Sequence, residues 1–412
     1  MKKVMILGAG AGQVPLIEKC KSRNYYVIAV SPEGDYPGFM LADKCCYLDT
    51  RDKEGILTFA VNEKIDAIMS DQTDVSVPSV AYVSGKMGLK SIGYETSLFF
   101  SNKYLMRERA RDLGIAVPEF SKASALDEAK TALARIGLPA MIKPVDSSGS
   151  RGVYKINRVE DLERYFDHSL SFSYTQSVIV EQFINGKEYI ADGLEIDGRY
   201  INTDLGIKEY FDKDNRYISK MCMFSSAASV DGPAELAVLE VNKTVAEGFG
   251  LPFGVTHGEY IISSIDGKVY LVEIAARGGG VFISSDLTPR ACGIDVNEIL
   301  IDYIVENKAV SVNELTLTNG VSAWMCFELK SGIIKEIRGR ESLMMLPGVF
   351  KAFVDDLSVG EKTCDMTDDS QKRGPILIGA DTREECYRYI QGVKDIFDVI
   401  VDSSGVESHI IW

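Results

Sequence analysis

The sequence has no C-x-x-C pair among its 8 cysteines, only 3 histidines, and no apolar run approaching the thickness of a bilayer. Each shortage excludes something. Cysteines at 20, 45, 46, 222, 292, 326, 364 and 386 show no metal-ligand spacing, so the expectation is reduced, mostly packed thiols in a cytoplasmic protein. A membrane span needs about 20 consecutive apolar residues. The opening Met1-Lys2-Lys3 followed by Val4-Met5-Ile6-Leu7 mimics a signal peptide, but the apolar run is short and glycines interrupt it. Cations are also in deficit: 45 Lys and Arg stand against 60 Asp and Glu, a net charge of −15. Such a field repels nucleic acid and anionic membranes, so neither is an expected partner. It repels nucleotides too, so a phosphate site must assemble its own cations and N–H groups.

With 46% apolar and 25% charged residues, the 412-residue chain reads as a soluble globular protein of two to four units. Residues 1–97 alternate short apolar runs (Val4–Leu7, Tyr26–Val30, Cys45–Leu48, Ala67–Ser70) with amphipathic helices at 14–22 and 53–63. That alternation predicts a doubly wound parallel-sheet α/β domain. Residues 98–310 read as a two-part α+β unit. Its lid, about 120–185, has strands at 140–143, 153–156 and 178–181 and a glycine-rich turn at 149–152. Asn157 with Glu160 resembles a capping box before the helix that starts near Val159. Further strands are expected at 189–196, 200–205, 258–264 and 268–274, with hairpin signals at Asp197-Gly198 and Asp266-Gly267. Residues 311–412 read as a small α+β tail closed by a helix at 382–397.

Several familiar motifs fail on inspection. Gly8-Ala9-Gly10-Ala11-Gly12-Gln13 follows the first strand, but Gln13 replaces the third glycine of a dinucleotide fingerprint and Ser31 stands where an acid is needed. A tight strand-to-helix turn near a ligand cleft is the better reading. Gly85-Lys86 is followed by Met87, so it is no Walker A loop. Gly149-Ser150-Arg151-Gly152 is no nucleophile elbow.

One ordered set of residues fits a single chemistry. Lys103 opens a helix after Ser101-Asn102. Lys143 ends a strand before Pro144. Ser147-Ser148-Gly149-Ser150-Arg151-Gly152 supplies hydroxyls, glycines and a cation in a turn that can aim N–H groups at phosphate oxygens. Glu181-Gln182-Phe183-Ile184 precedes Gly186-Lys187-Glu188. Glu259 and Glu273 fall on adjacent predicted strands, with Arg277 and Gly278-Gly279-Gly280 just beyond. Triphosphate needs cations, which Lys103, Lys143 and Arg151 could supply, and Mg²⁺ needs hard oxygen ligands, which two carboxylates provide. Phosphoryl transfer is mostly positioning and charge neutralisation, so this inventory suits it.

The order and spacing of these motifs resemble the ATP-grasp superfamily, which includes biotin carboxylase, carbamoyl phosphate synthetase and D-alanine–D-alanine ligase. The resemblance spans nearly the whole chain. Val255-Thr256-His257-Gly258-Glu259, Glu273-Ile274-Ala275-Ala276-Arg277 and the closing Gly379-Ala380-Asp381-Thr382-Arg383-Glu384-Glu385 look most like bacterial L-amino-acid ligases, within the carboxylate–amine ligase branch. The resemblance implies an N-terminal α/β domain, a two-part grasp and an α+β C-terminal unit. It implies an ADP-forming ligase that joins a small carboxylate, such as an amino acid, to an amine through an acyl phosphate. ATP and Mg²⁺, with Mn²⁺ as an alternative, would be the cofactors, and a homodimer is the family-based expectation.

Residue by residue, the resemblance implies that Lys103 and Lys143 bind phosphates and that Ser148, Gly149, Ser150 and Gly152 close over them with Arg151. Glu181, Gln182, Phe183 and Ile184 would form the hinge that reads adenine through backbone groups, and Glu188 would hold the ribose. Glu259 and Glu273 would hold the metal, and Arg277 would stabilise the acyl phosphate and tetrahedral intermediate. Many relatives place Asn two residues after the second metal glutamate. Here it is Ala275, which leaves the metal stoichiometry open.

His257 lies two residues before a metal glutamate and so on the same strand face. A packed role, a substrate contact and metal ligation all stay open for it. Arg290 and Gly279 are candidates for substrate contact, the loops 206–230 and 277–292 for specificity, and Val281 for the acyl pocket. Alternative readings are a phosphoribosylamine–glycine ligase, a carbamoyl-phosphate-type enzyme, and a non-catalytic ATP-binding regulator. The identity of the acid and amine is not encoded in a readable form.

Overall fold

The computed structural model describes residues 1–211, 218–366 and 371–412. Residues 212–217 of the 206–230 loop named above lie outside the described residues. The chain opens with β1 (Lys3–Leu7), β2 (Tyr26–Ser31), β3 (Lys44–Tyr47) and β4 (Ala67–Met69), which form a parallel sheet in the order β3-β2-β1-β4. These strands are near-continuously apolar because both faces are covered. The helix Val14–Ser22 covers one face with Leu16, Ile17 and Cys20. The helices Lys53–Glu63 and Val77–Lys86 cover the other with Ile56, Ala60 and Val83. A helix from far along the chain, Val296–Ile304, packs Ile301 onto the first face, joined by Val305. The doubly wound expectation holds, with a core that draws on residues well beyond 97.

The lid sheet follows. β5 (Phe120–Ala123), β6 (Ala140–Pro144), β7 (Tyr154–Ile156) and β8 (Val178–Gln182) pair antiparallel in the order β5-β8-β6-β7. The helices Leu126–Ile136 and Val159–Ser171 bury Ala129, Leu133, Leu162 and Phe166 against it. The capping box sits one residue later than expected. Asp161 Oδ2, not Glu160, accepts from the N–H groups of Asn157 and Arg158, at 3.1 and 3.0 Å.

The largest sheet has eight strands: β9 (Gly186–Ile196), β10 (Arg199–Tyr210), β11 (Ser219–Ser226), β12 (Phe253–Ser263), β13 (Val269–Ala275), β14 (Val321–Phe327), β16 (Val349–Ala352) and β18 (Arg373–Ala380), with β15 (Gly332–Arg338) and β17 (Lys362–Thr363) falling between them in sequence. Its order, β13-β12-β9-β10-β11-β14-β18-β16, runs from the ligase-like motifs straight into the tail. The tail strands β14, β16 and β18 are therefore continuous with the central sheet. Only β15, β17, β19 (Asp398–Ser403) and β20 (Val406–Ser408) form a separate sheet. Asp197 and Gly198 both take positive φ (52° and 77°) and make the tight β9–β10 turn that the dipeptide announces. Asp266-Gly267 lies instead in a longer loop, since Ile262 pairs with Val269.

Candidate active site

A cleft of about 540 Å³ is walled by the lid sheet on one side and the central sheet on the other. Its floor is β12 and β13, whose register sets Glu259 directly opposite Glu273. Cross-strand partners share a sheet face, so the two carboxylates stand side by side, a repulsive arrangement unless cations intervene. Two lysines do. Lys103 Nζ donates to Glu273 Oε1 at 2.8 Å and to the Ser147 carbonyl at 2.8 Å. Lys208 Nζ donates to Glu259 Oε1 at 2.6 Å and to Glu188 Oε1 at 3.1 Å. Burial would raise the Glu259 carboxyl, but Lys208, then His257 and Arg277, outweigh it and hold it at about 2. Burial pulls the Lys208 ammonium down, yet Glu259, Tyr210 and Glu188 hold it well above its ordinary value, so it stays charged.

On the lid side, Lys143 forms an ion pair with Glu181. Arg107 closes the group from the helix Lys103–Asp112. Its Nε donates to Glu181 Oε2 at 3.0 Å and its Nη2 to the Val272 carbonyl at 2.6 Å. Asn102 caps that helix, its Oδ1 accepting from Tyr104 and Leu105, which fixes the direction in which Lys103 and Arg107, one turn apart, leave the helix. Burial would raise the Glu181 carboxyl, but Arg107 and Lys143 together hold it at about 2.

The glycine turn has the backbone expected of a phosphate cradle: Gly149, Ser150 and Gly152 take φ of 67°, 57° and 72°. Ser148, Gly149, Ser150 and Arg151 line the cleft, and Arg151 Nε donates back to the Ser148 carbonyl at 3.1 Å. Gly152 is not at the cleft wall. A Cβ there would meet Pro144 and Phe172 at 3.0 Å, so its role is close packing. Gln182, Phe183 and Ile184 line the next stretch, with the Lys155 ammonium 3.8 Å above the Phe183 ring. The N–H groups of Gln182 and Phe183 already donate to the Glu119 and Pro139 carbonyls. Those two therefore cannot be the N–H groups that read a base, and the Glu181 side chain is committed to its cations.

Arg277 is half-buried at the cleft, its Nε donating to Asp74 Oδ1 at 2.8 Å and its Nη1 to the Gly278 carbonyl at 2.9 Å. Asp74 follows β4, at the carboxyl end of the parallel sheet, where such sheets present ligand-facing loops. The glycine run is a packing device. A Cβ on Gly278 would fall 2.3 Å from Asp71 Oδ1, and one on Gly279 would fall 2.8 Å from His257 Nδ1. Only Gly280 and then Val281 reach the cleft wall. Val281 and Phe282 both take left-handed φ (56° and 60°), an uncommon conformation for branched and bulky residues that turns the chain at the cleft rim. Arg290 does not come to the cleft: it is exposed and stacks 5.5 Å from the Phe350 ring. Gln13 explains the broken dinucleotide fingerprint. Its Oε1 accepts from Gly10, its Nε2 donates to the Asp71 carbonyl at 2.7 Å, and its side chain fills the space above Gly8.

Glu259 and Glu273 give hard carboxylate oxygens suited to Mg²⁺. Ala275 is buried and offers no oxygen, and among the described residues no group of three or more His, Cys, Asp or Glu gathers as a metal cage. Arg107, Lys208, Asp74, Tyr210, Trp324 and Lys372 also line the cleft without having been singled out from the sequence. Arg107 was findable from its i+4 spacing to Lys103, and Lys208 from strand alternation had the strand been extended past 205. Asp74 and Trp324 carry no local signal.

Residues 136–286 match the ATP-grasp domain family. The chain is 26% identical over 284 residues to the L-arginine-specific L-amino acid ligase of Bacillus subtilis, covering 68% of this chain and 67% of that protein. It is 26% identical over 188 residues to the formate-dependent phosphoribosylglycinamide formyltransferase of Bacteroides thetaiotaomicron, covering 45% of this chain and 48% of that protein. The matched region thus spans about two thirds of the first relative's length and about half of the second's. Among solved structures, the L-amino acid ligase from Bacillus licheniformis superposes with a TM-score of 0.81 at 19% identity, over 98% of this chain and 99% of that one. The phosphoribosylglycinamide synthetase from Anaerococcus prevotii gives 0.72 at 19%, over 97% and 100%. The chain resembles the ATP-grasp superfamily in its carboxylate–amine ligase branch, and its fold is the mixed α/β architecture of that superfamily. No helix among the described residues is long and apolar enough to cross a membrane.

Proposed function

We propose that this protein is an ATP-dependent ligase that activates a small carboxylate, an amino acid in the simplest case, as an acyl phosphate and joins it to an amine, releasing ADP and phosphate. One observation carries the reading: Glu259 and Glu273 face each other on neighbouring strands and share one cleft with Lys103, Lys143 and Arg277. Were the lysines and glutamates in separate cavities, the chemistry would have no site.

Lys103 and Lys143, with the turn at 147–152, would hold the phosphates. The apolar stretch at Phe183 and Ile184 would hold the base and Glu188 the ribose. In this reading Glu181 acts through its side chain, keeping Lys143 charged and aimed. Glu259 and Glu273 would hold Mg²⁺, which when bound supplies charge neutralisation between the phosphate oxygens. The substrate carboxylate oxygen attacks the γ-phosphorus and ADP leaves. The amine nitrogen then attacks the acyl carbon, loses a proton, and phosphate leaves. Arg277, paired with Asp74 at the cleft, would offset charge on the acyl phosphate and on the tetrahedral oxygen. The lid excludes water that would otherwise hydrolyse the acyl phosphate. Val281, on the cleft wall, would contact the acyl side chain.

The test is a phosphate-release screen over amino-acid pairs, with phosphoribosylamine plus glycine and bicarbonate as further arms, followed by mass spectrometry of products. The reading expects ADP and phosphate only when an acid and an amine are both present. Tight ATP binding without turnover across the panel would turn it towards a non-catalytic nucleotide-binding protein.

A further inference from the structure

The glycine run at the cleft rim ends one residue before the backbone needs it. Gly278, Gly279 and Gly280 take no left-handed φ, whereas Val281 and Phe282, at 56° and 60°, do. Glycine would adopt that conformation freely, and a β-branched residue there is a true outlier. Side chains are therefore kept at 281 and 282 against the preference of the backbone, and such outliers cluster where the surroundings over-determine a functional shape. Both side chains are used. Val281 lines the cleft with Ile190, Ile283 and Trp324, an apolar wall, and the Phe282 ring stacks on Phe353 at 4.4 Å and 7°. Residues Ile283–Leu287 continue as a π-helix, a rare form that recurs at functional sites.

What holds this turn comes from the N-terminal domain. The Phe282 N–H donates to Gln72 Oε1 at 3.0 Å. Gln72 follows β4, is itself left-handed at φ 56°, and its Nε2 reaches Ser285 Oγ at 3.4 Å. Two neighbours complete the clasp. Ser284 Oγ donates to Asp71 Oδ2 at 2.8 Å, and Arg277 Nη2 lies 2.7 Å from Asp74 Oδ1. Of the three, Gln72 is the one that bonds the backbone of the left-handed pair. The loop that failed as a dinucleotide fingerprint clears room for it, since a Cβ on Gly12 would fall 3.1 Å from Gln72 Oε1. Gln72 is not among the described residues that line the cleft, so it acts through the turn.

We propose that Gln72 is a positioning residue: it holds Val281 and Phe282 in their left-handed turn and so sets the wall against which the side chain of the acid substrate packs. Without its acceptor, the Phe282 N–H is left unpaired on a residue only 7% exposed, and nothing offsets the disfavoured φ. The pair then relaxes and Val281 leaves the wall. The turn stands apart from the ligase reading; the acid contact rests on it.

The test uses the full-length protein without nucleotide or metal, labelled with ¹³C-carbonyl valine and ¹⁵N-phenylalanine. The dipeptide Val-Phe occurs only at 281–282 and 349–350, so two amides are selected and Phe350→Leu assigns them. The Phe282 amide should exchange slowly in the unvaried protein, and about tenfold or more faster in Gln72→Met, which keeps the size and loses the acceptor. Rapid exchange in the unvaried protein overturns the proposal, as does an unchanged rate in Gln72→Met. Should that variant fail to fold, Gly12→Ala, whose Cβ crowds the same acceptor, carries the same two outcomes. In turnover, Gln72→Met should raise the KM for the acid about tenfold and leave kcat and the KM for ATP within about threefold. An equal rise in the KM for acid, amine and ATP marks a merely structural residue and overturns the acid contact. A protein that turns over no acid–amine pair refutes the ligase reading, and the exchange result then decides the turn by itself.

Discussion

The two carboxylate clusters facing the cleft are assembled from similar parts and sealed differently. At the lid end, Glu181 meets Arg107 and Lys143, and the Arg107 and Glu181 side chains are 0% and 2% exposed. At the floor, Glu273 meets Lys103 and Glu259 meets Lys208, but the two glutamates keep 27% and 23% of their side-chain surface open. A sealed ion pair cannot exchange partners without burying a bare charge, so Arg107 and Glu181 behave as scaffold, while Lys143, 11% exposed, is the member of the group that reaches the cleft. An open one can, so the floor lysines stand where a divalent cation and phosphate could compete for the same oxygens. The same residue types thus do two jobs, and solvent access separates them.

Substitutions should split along that line. The largest effect on turnover is expected for Glu273→Gln at the floor. It should lower ADP release by about 10²–10³-fold with little change in urea midpoint, because the pair it breaks is partly solvated. Arg107→Met at the lid should do the reverse first, lowering stability by about 3–5 kcal/mol in denaturant titration by leaving Glu181 with Lys143 alone. The pH dependence follows from the sign of the Glu181 shift. Its carboxyl is depressed from 4.5 to about 2, so its contribution is complete above the ordinary value and lost as pH falls towards the lower one. In Arg107→Met that loss should begin at higher pH, which acid titration followed by circular dichroism would show. Lys208→Met should be intermediate, with turnover down about tenfold and the effect partly relieved by raised Mg²⁺, since Glu259 loses its resident cation. The smallest effect is expected for Arg290→Ala, within about twofold on all steady-state constants, because that residue stands outside the cleft. A large effect of Arg290→Ala confined to one substrate's KM would break the comparison by showing that a third cationic group matters.

Much of this was legible in the chain. The parallel sheet, the lid strands and the carboxylate strands follow from apolar periodicity and turn chemistry, which act over a few residues. Lys103, Lys143, Glu259 and Glu273, which line one cleft, were singled out as an ordered set and by resemblance, each being a weak signal alone. What stayed hidden depends on register between distant strands. Nothing near Lys208 announces Glu259, 51 residues away. Arg290 misled for the same reason: a lone arginine after the glycine run is equally compatible with the cleft and with the outer surface, and only the packing of Phe350 decides. The tail strands gave no sign that they extend the central sheet, since pairing partners are not written in alternation.

The central claim is that Glu259 and Glu273 gather a divalent cation and ATP in the cleft they share with the two lysines. Its most direct test is calorimetric titration of ATP with and without Mg²⁺ into the unvaried protein and into the Glu259→Gln, Glu273→Gln double variant. The expected result is a gain in ATP affinity with Mg²⁺ of about tenfold or more that disappears in the double variant. An equal gain in both proteins would contradict the claim and place the cation elsewhere.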